Sequence, residues 1–328
     1  MNSRRKLVIA LGAGALAAPF GAFGQPAGRV PRVGVLNATT QAVNAERIDA
    51  FKLGLRELGY VEGKSVLIDY RWADGRLDRL PGLVAELLQL KVDVIFASGP
   101  ADTRAAKDAT STIPIVMGFD PDPVANGFVA SLARPGGNIT GLSTLAPELS
   151  RKQLELMKEI VPRLARVAVI GSSIEPGNAQ VLKELELAAR AFKVQLQNLD
   201  ILDPKDIETA FRAVTKGRAD AILVLQSPIA STHSAQFISH AVMCRLPAIY
   251  PRSEFVNAGG FISYGVNRID LGRRAAVYVD KILKGVKPSD LPVEQPTKFE
   301  VAINMKTAKA LGIKIPNSIL VQATKVIE

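Results

Sequence analysis

The stretch that decides the fold is KVDVIFASGP at residues 91–100, because the chain repeats its pattern as RADAILVLQSP at residues 218–228. Each copy has a basic residue, an aspartate, a short apolar run, a small polar residue and a proline. A short apolar run bounded by turn residues is typical of a strand that is buried on both faces of a parallel sheet. The repetition therefore predicts two copies of one architecture within a single chain.

Elements of the same order surround both copies. Around the first, alternating apolar runs and amphipathic stretches predict strands at 33–36, 66–70, 92–97 and 113–117 and helices at 45–58, 80–90 and 101–109. In the second half, RVAVIGSSI (166–174) corresponds to RVGVLNATT (32–40), LPAIY (246–250) corresponds to IPIVM (113–117), and a helix at 179–192 precedes a strand at 194–199. Because parallel strands are joined by crossover helices, the order predicts an α/β protein of two lobes, each with a parallel sheet.

The first 24 residues have the composition of an export signal. MNSRRK is a basic start, residues 7–18 are apolar, and Ala22-Phe23-Gly24 forms a small-x-small cleavage site before Gln25. The apolar stretch is shorter than the ~20 residues that a membrane span needs. We therefore predict a cleaved signal and a periplasmic protein, while Arg4-Arg5 leaves both the general and the twin-arginine export routes open.

Composition and motifs argue against several functions. The formal charge of +10 comes from scattered Lys and Arg residues, which predicts a basic surface and no nucleic-acid partner. A single cysteine, Cys244, allows no intrachain disulfide, and its apolar neighbours predict a buried, inert thiol. His233 and His240 have no third ligand beside them, and the glycines at 12–17 lack the acidic residue that a dinucleotide site needs about 20 positions later. We predict no catalysis, no cofactor and no metal.

Small, polar or helix-capping residues follow the predicted strands of both halves. Examples are Asn37 to Thr40, Ser98-Gly99-Pro100 and Ser227-Pro228. Ligands of parallel sheets bind at the carboxyl ends of the strands, where loops and helix N-termini converge. Two lobes with such edges facing each other would enclose a small molecule by hinge closure.

Three long stretches strongly resemble a known family. They are YRWADGRLDRLPGLVAELLQLKVDVIFASGP (70–100), STIPIVMGFDPDPVANGFVASLARPGGNITGLS (111–143) and GFISYGVNRIDLGRRAA (260–276). The chain resembles the substrate-binding proteins of ABC transporters, in the subgroup typified by tryptophan- and phenylalanine-binding members. The resemblance implies the type I periplasmic-binding-protein fold, with two Rossmann-like lobes joined by three hinge strands. It places lobe one at 30–142 plus 265–290, lobe two at 143–264 plus 291–328, and the crossings near Gly141, Gly265 and Pro292.

The resemblance also nominates ligand-binding residues in the loops after strands one, three and four of each lobe. In lobe one they are Asn37, Thr39, Ser98, Gly99, Pro100, Ala101, Asp120 and Asp122; in lobe two they are Ser173, Glu175, Asn178, Ser227, Ser253, Glu254 and Tyr264. The sole tryptophan, Trp72, is a further candidate for stacking on a flat ligand. One departure counts against an α-amino acid: amino-acid-binding members often carry Thr-Asp-Asn where this chain has Ser227-Pro228-Ile229-Ala230.

Several of these residues have a second, purely structural interpretation. Ser98-Gly99-Pro100 offers free backbone N–H groups to a carboxylate, or forms an ordinary helix cap. Asp122 before Pro123 either binds ligand or caps a helix predicted at 124–132. Trp72 covers the edge of a core if it does not stack on ligand, and Tyr264 packs in the hinge if it does not bind ligand.

The sequence thus predicts an extracytoplasmic solute-binding protein, monomeric and not catalytic. It would close around an amino acid, an aromatic acid or another small carboxylate and deliver it to an ABC permease in the inner membrane. An alternative is a binding protein that presents its ligand to a membrane receptor. A cytoplasmic enzyme or repressor on the same scaffold would need catalytic residues or an N-terminal DNA-binding motif, where this chain has an export signal.

Overall fold

Strands and helices alternate along the chain in a computed structural model that describes residues 29–328. The predicted export signal lies outside these residues. In chain order the elements are β1 (Arg32–Asn37), α1 (Gln41–Glu57), β2 (Leu67–Trp72), α2 (Leu80–Gln89), β3 (Val94–Ala97), α3 (Pro100–Ala109), β4 (Ile115–Asp120), β5 (Ile139–Ser143), α4 (Ala146–Ile160), β6 (Arg166–Gly171), α5 (Asn178–Phe192), β7 (Gln195–Asp200), α6 (Asp206–Lys216), β8 (Ala221–Val224), α7 (Pro228–Thr232), α8 (Ser234–Met243), β9 (Ala248–Tyr250), α9 (Ser253–Asn257), β10 (Ile262–Val266), α10 (Arg268–Leu283), β11 (Phe299–Asn304), α11 (Met305–Ala310), α12 (Asn317–Gln322) and β12 (Lys325–Ile327).

The strands form two sheets. Sheet one has the order β2-β1-β3-β4-β5, and sheet two has the order β12-β11-β10-β9-β8-β6-β7. All neighbours are parallel except β10 and β11, which pair antiparallel. The two repeated stretches supply β3 and β8, and each lies beside the first strand of its own half. The predicted α/β class with two parallel sheets is confirmed.

Helices cover both faces of each sheet, so each sheet has two apolar cores. On one face of sheet one, α1 and α10 pack against the strands, with Phe51 stacked on Phe96 at 4.5 Å between ring centroids; α2 and α3 pack on the other face. Helices α4 and α5 cover one face of sheet two, and α6 to α9 cover the other. We call sheet one with its helices lobe one, and sheet two with its helices lobe two.

The chain passes between the lobes at three places. Strand β5 of lobe one leads into α4 of lobe two, and β10 of lobe two leads into α10 of lobe one. Beside β5 the returning chain forms a bridge between Leu142 and Glu294, and the Ser143 amide donates to the Glu294 carbonyl at 2.8 Å. Gly141 needs to be glycine here, since a Cβ would lie 2.3 Å from the Met117 carbonyl oxygen. The exact residue ranges of the lobes stay a prediction.

One predicted helix is wrong. Residues 123–127 form turns, and no helix covers 124–132 in this described part of the chain. The Asp122 carboxylate still accepts from the Ala125 amide at 3.0 Å, but Gly127 takes a left-handed φ of +68° and ends the helical path. Phe128 and Val129 then enter the core of lobe one in an irregular segment.

The helices were compared with the length and hydropathy of membrane spans. Within residues 29–328, none combines the length and the apolar character that a membrane crossing requires.

Candidate functional site

A cavity lies where the carboxyl ends of the two sheets face each other. We call it cavity one; its empty volume is about 310 Å³. Both lobes contribute its walls: Asn37, Ala38, Thr39, Asn44, Arg47, Ser98, Gly99, Pro100, Ala101, Asp102 and Phe119 come from lobe one, Glu175, Gln226, Pro228, Ser231 and Arg252 come from lobe two, and Arg268 begins α10. Because the cavity is built from both lobes, opening the lobes would dismantle it.

Three arginines converge on cavity one from different elements. Arg47 lies on α1 and Arg252 follows β9; their side chains are buried, with relative exposures of 4% and 5%. Within residues 29–328 the buried Nε atoms of Arg47, Arg252 and Arg268 have no hydrogen-bond partner. Arg47 Nη1 donates to the Ser98 carbonyl at 2.7 Å, and Arg252 Nη1 lies 3.8 Å from a Glu254 carboxylate oxygen. Such buried, incompletely paired cations favour an anion in the cavity.

Phe119 holds two of these guanidinium groups in place. The Arg268 guanidinium carbon lies 4.1 Å from the centroid of the Phe119 ring, and that of Arg47 lies 5.6 Å away. Both distances are within the range of cation–π attraction. The ring therefore attracts both guanidinium groups and offsets part of the repulsion between them.

Burial lowers the pKa of all three arginines. The pKa of Arg47 falls to about 10, mainly because of burial and against the attraction of Asp102. The pKa of Arg268 falls well below its usual value, first through burial and then through repulsion from Arg47 and Arg252. A guanidinium keeps its proton at neutral pH, so the cavity stays cationic and a bound anion would relieve this repulsion.

Two buried carboxyl groups share the cavity with the arginines. Asp102 is on α3 of lobe one and Glu175 is in the loop after β6 of lobe two, with exposures of 2% and 4%. Asp102 Oδ1 and Glu175 Oε2 have no hydrogen-bond partner among the described residues. Burial raises the pKa of Asp102 to about 8 although Arg47 opposes the shift. Burial, then repulsion from Asp102 and Asp120, raises the pKa of Glu175 well above its usual value.

A hydrogen-bond network fixes the lobe-one wall. The Asn37 side-chain oxygen accepts from the Thr39 amide at 3.0 Å, from the Thr39 hydroxyl at 2.9 Å and from Asn44 Nδ2 at 3.0 Å. Asn37 Nδ2 donates to the Ser98 hydroxyl at 3.0 Å, which ties the loop after β1 to the loop after β3. The N-cap of α3 is Gly99, and no side chain caps this helix end. Pro100 has no amide hydrogen and the Gly99 amide bonds to the Asp102 carboxylate, so only the following amides of the first turn could serve a ligand.

A second cavity, cavity two, adjoins the first. Its empty volume is about 610 Å³, and most of its walls are apolar. The lining residues are Phe119, Pro121, Thr144, Ala146, Leu149, Ser150, Gln153, Asn178, Val181, Val224, Leu225, Gln226, Pro251, Arg252, Tyr264, Gly265, Val266 and Arg268. Phe119, Gln226, Arg252 and Arg268 line both cavities. Together the cavities offer a charged end and an apolar body to one elongated molecule.

The structure brings nine of the predicted site residues to these cavities. Asn37, Thr39, Ser98, Gly99, Pro100, Ala101 and Glu175 line cavity one, while Asn178 and Tyr264 line cavity two. Ser253 and Glu254 lie in a groove outside, behind Arg252. That the nine cavity residues contact ligand stays a prediction.

The other five predicted residues do not line either cavity and have structural partners. Trp72 packs against the lobe-one core and stacks with Tyr70 at 6.4 Å. The buried Asp120 accepts from the Asp122 amide and from Asn126, and Asp122 caps its turn. The Ser173 hydroxyl donates to Asp200, and the Ser227 hydroxyl caps α7.

Sequence reasoning missed the three arginines and Asp102 of the site. Arg47 lies on the buried face of α1 beside Ile48 and Phe51. A charged residue on this apolar face was the one feature of the sequence that could have identified it as a site residue. Arg252 lies two residues after the end of β9, in the loop where Ser253 and Glu254 were predicted as site residues. The lone thiol is also less buried than predicted: Cys244 is half-buried, with its sulfur 3.5 Å from the Thr215 hydroxyl.

The ligand-free protein should lose stability as pH rises from about 5 to about 9. The pKa of Asp102 is about 8 in the folded chain, against about 3.9 for an unfolded aspartate. Between these two pH values the folded protein binds a proton on Asp102 that the unfolded chain has lost. The stabilisation from this proton is complete below the pKa of the unfolded chain and is lost as pH rises through the pKa of the folded chain. Burial of Glu175 acts in the same direction. Denaturant unfolding across this pH range should show the decline, and Asp102→Asn should make it shallower. Stability that rises with pH and ignores this substitution would contradict the assignment.

Comparison with known proteins finds a family match over nearly all of the described chain. The sequence model of the family described as "ABC transporter substrate binding protein" matches residues 32–327. Among curated proteins, a tyrosine-binding protein of Clostridioides difficile strain R20291 is 26% identical over 279 residues, which cover 84% of this chain and 80% of the relative.

Solved structures share the same fold. A conserved domain protein from Vibrio cholerae is 28% identical, with a TM-score of 0.86, and the match covers 91% of this chain and 100% of that one. The ABC domain in complex with L-Trp from Streptococcus pneumonia is 26% identical, with a TM-score of 0.85, and the match covers 90% of this chain and 99% of that one.

Proposed function

Because this chain belongs to the ABC transporter substrate-binding protein family, we propose that it captures a small carboxylate between its lobes, as a monomer and without chemical change, and delivers it to an ABC permease. One observation carries the proposal: Arg47 of lobe one and Arg252 of lobe two are buried at one cavity with unpaired Nε atoms. A carboxylate accepts parallel hydrogen bonds from guanidinium groups, so a single anion suits this arrangement.

Electrostatics explains how the ligand would drive closure. In the closed arrangement Arg252 of lobe two repels Arg47 and Arg268 of lobe one, and after burial this repulsion contributes to the lowered pKa of both. An anion between Arg47 and Arg252 converts this repulsion into attraction across the cleft. The ligand thus binds the closed state more tightly than the open one, which is the only requirement for shifting the population.

The apolar walls of cavity two indicate the rest of the ligand. Leu149, Val181 and Val224 lie beyond Phe119, and Tyr264 and Gln153 add polar atoms there. Relatives named for tyrosine and solved with L-Trp support a ligand with an aromatic or similarly apolar body. We place the carboxylate in cavity one and the apolar body in cavity two.

The hinge would lie at the three crossings, near Gly141, Gly265 and Pro292. Two observations support this position: the Leu142–Glu294 bridge pairs two crossing segments, and a Cβ on Gly265 would lie 2.5 Å from the Pro251 carbonyl oxygen. Short paired segments of this kind absorb a rotation without disturbing either core.

A binding screen tests the proposed function. Amino acids, aromatic acids and short-chain carboxylates are added to the mature protein, and thermal unfolding and isothermal titration are measured. A true ligand at 100 times its dissociation constant should add about 2.7 kcal/mol to the free energy of unfolding. If no compound of the panel binds, the result would contradict capture of a carboxylate.

Substrate-binding proteins of ABC systems are extracytoplasmic, so we propose that this chain is exported. A separate experiment tests this. We expect periplasmic protein that begins at Gln25 after removal of residues 1–24. N-terminal sequencing after cell fractionation checks this. An intact Met1 on protein recovered from the cytosol would refute it.

A further inference from the structure

We infer that the apolar body of the ligand carries a neutral hydrogen-bond donor, an N–H or O–H group that the side-chain oxygen of Asn178 accepts in cavity two. The inference rests on the proposed function and narrows its ligand class. It comes from the hydrogen bonds that the polar side chains lining cavity two already form within the protein.

Asn178 can offer a ligand an acceptor but no donor. Its Nδ2 donates to the Ser172 carbonyl at 3.0 Å and to the Gln226 carbonyl at 3.4 Å. Both partners are backbone oxygens, so the nitrogen must face them and both amide hydrogens are used. None of the described residues donates to Asn178 Oδ1, although Asn178 is only 3% exposed and lines cavity two. A buried oxygen without a donor in the protein favours a donor on the ligand.

The other two side-chain amides in the lining are also held by their nitrogen atoms. Gln153 Nε2 donates to the Tyr264 carbonyl at 2.7 Å, and Gln226 Nε2 donates to the Ser231 hydroxyl at 3.1 Å. No residue in 29–328 donates to either glutamine side-chain oxygen, so both oxygens are further acceptors. Each glutamine nitrogen keeps a second hydrogen, which could serve an acceptor on the ligand. Asn178 is therefore the amide that selects for a donor.

Two hydroxyl groups of the lining already donate their hydrogens to the backbone. The Ser150 hydroxyl donates to the Pro147 carbonyl at 2.6 Å, and the Thr144 hydroxyl donates to the Asp120 carbonyl at 3.3 Å. Toward a ligand, both oxygens can then only accept. The third hydroxyl of the lining, on Tyr264, can donate or accept and does not discriminate between ligands.

The charged groups of the lining belong with the carboxylate end of the ligand. Arg252 and Arg268 line both cavities, and the proposed carboxylate binds at this shared end. An ammonium group next to that carboxylate would lie in cavity one, beside the unpaired oxygens of Asp102 and Glu175. The donor for Asn178, which lines cavity two alone, therefore belongs to the body of the ligand.

A body without a donor would leave the Asn178 oxygen buried and unpaired. A site built to form a hydrogen bond rejects an analogue that lacks the bonding group more strongly than an apolar pocket rejects a change of size. A body with only an acceptor would place lone pairs against lone pairs, which is no better. Affinity should therefore depend on the donor itself, beyond the apolar area that the body buries.

Matched compounds that differ only in the donor on the body test the inference. The pairs are L-tyrosine with L-phenylalanine, L-tryptophan with 3-(1-benzothiophen-3-yl)-L-alanine, 3-(4-hydroxyphenyl)propanoate with 3-phenylpropanoate, and 6-hydroxyhexanoate with heptanoate. In the pair that fits best, titration calorimetry at neutral pH should show the member with the donor binding at least about tenfold more tightly. Equal or tighter binding of the member without the donor would overturn the inference and leave the proposed function standing. If no member of any pair binds, the proposed function is contradicted as well.

A variant separates the contact with the ligand from the structural role of Asn178. Asn178→Ala removes the acceptor and also the two hydrogen bonds to backbone carbonyls. Loss of those bonds should weaken both members of a pair equally, whereas loss of the acceptor weakens only the member with the donor. The ratio of the two affinities should therefore fall to within about threefold of one.

Gln153→Ala is the matched control, because it removes another amide from the same cavity, and it should keep the wild-type ratio. Thermal unfolding of each ligand-free variant checks that it folds; if Asn178→Ala does not fold, the ratio in the wild type decides. A ratio that persists in folded Asn178→Ala, or that is lost only in Gln153→Ala, would overturn the assignment of the acceptor to Asn178.

Discussion

Replacing Arg252 by glutamine should nearly abolish ligand capture and leave the ligand-free protein at least as stable as the wild type. Arg252 is 5% exposed, its Nε has no hydrogen-bond partner among the described residues, and its carboxylate neighbour Glu254 is 3.8 Å away. Loss of a buried charge that pairs with a ligand typically costs about 2–5 kcal/mol of binding free energy, or about 30- to 4000-fold in affinity. Without ligand, the same change removes a desolvated cation and its repulsion of Arg47 and Arg268.

Arg212→Gln is a matched control in the same lobe. Arg212 lies on α6, its side chain is 71% exposed, and its contact with Glu208 is a surface pair. Such a pair contributes little, so this variant should bind and unfold like the wild type. Titration calorimetry and denaturant unfolding of both variants decide the matter. If Arg252→Gln binds normally, or destabilises the ligand-free protein severely, Arg252 is a structural residue and not the anchor for the anion.

Gly177→Ala should weaken ligand binding about tenfold or more by opposing closure. Gly177 precedes α5 of lobe two and contacts lobe one: a Cβ here would lie 2.6 Å from two atoms of the Pro121 ring. That ring is rigid, so the lobes must move apart to make room. Since the ligand binds the closed state, any cost to closure appears as lost affinity.

A second glycine with the same backbone conformation serves as the control for backbone strain. Gly177 has a φ of +90° and Gly285 has a φ of +95°, but nothing lies within 4 Å of a Cβ on Gly285. Gly285→Ala should therefore share the loss of stability that a left-handed alanine causes and keep normal affinity. Equal losses of affinity in both variants would show that strain, and not contact between the lobes, is responsible.

The sheets could be predicted because their strands are apolar runs bounded by turn residues. Parallel strands buried on both faces need such runs, and the repeated stretches at 91–100 and 218–228 became β3 and β8 in equivalent places. The predicted helix at 124–132 failed for a local reason. Its apolar residues Phe128 and Val129 fill the lobe-one core, and Gly127 turns the chain before a helix can form.

The loops of the candidate site could be predicted, but its arginines and Asp102 could not. Loops after parallel strands reach the same edge whatever their sequence, and the family resemblance nominated residues within them, so Asn37, Ser98 and Glu175 were among the predicted residues that line cavity one. Arg47 and Asp102 belong to helices, and only the three-dimensional packing of α1 and α3 turns them toward the cavity. Ser227 and Ser173 satisfied the same positional rule, yet their hydroxyls are engaged with α7 and Asp200.

The central claim is that arginines of opposite lobes hold one anionic group between them. A crystal structure of the protein with the tightest-binding acid of the screen tests it most directly. We predict a carboxylate within hydrogen-bond distance of Arg47 and Arg252, with the apolar body beyond Phe119 in cavity two. A ligand whose acidic group lies away from all three arginines, or one bound outside the two cavities, would contradict the account.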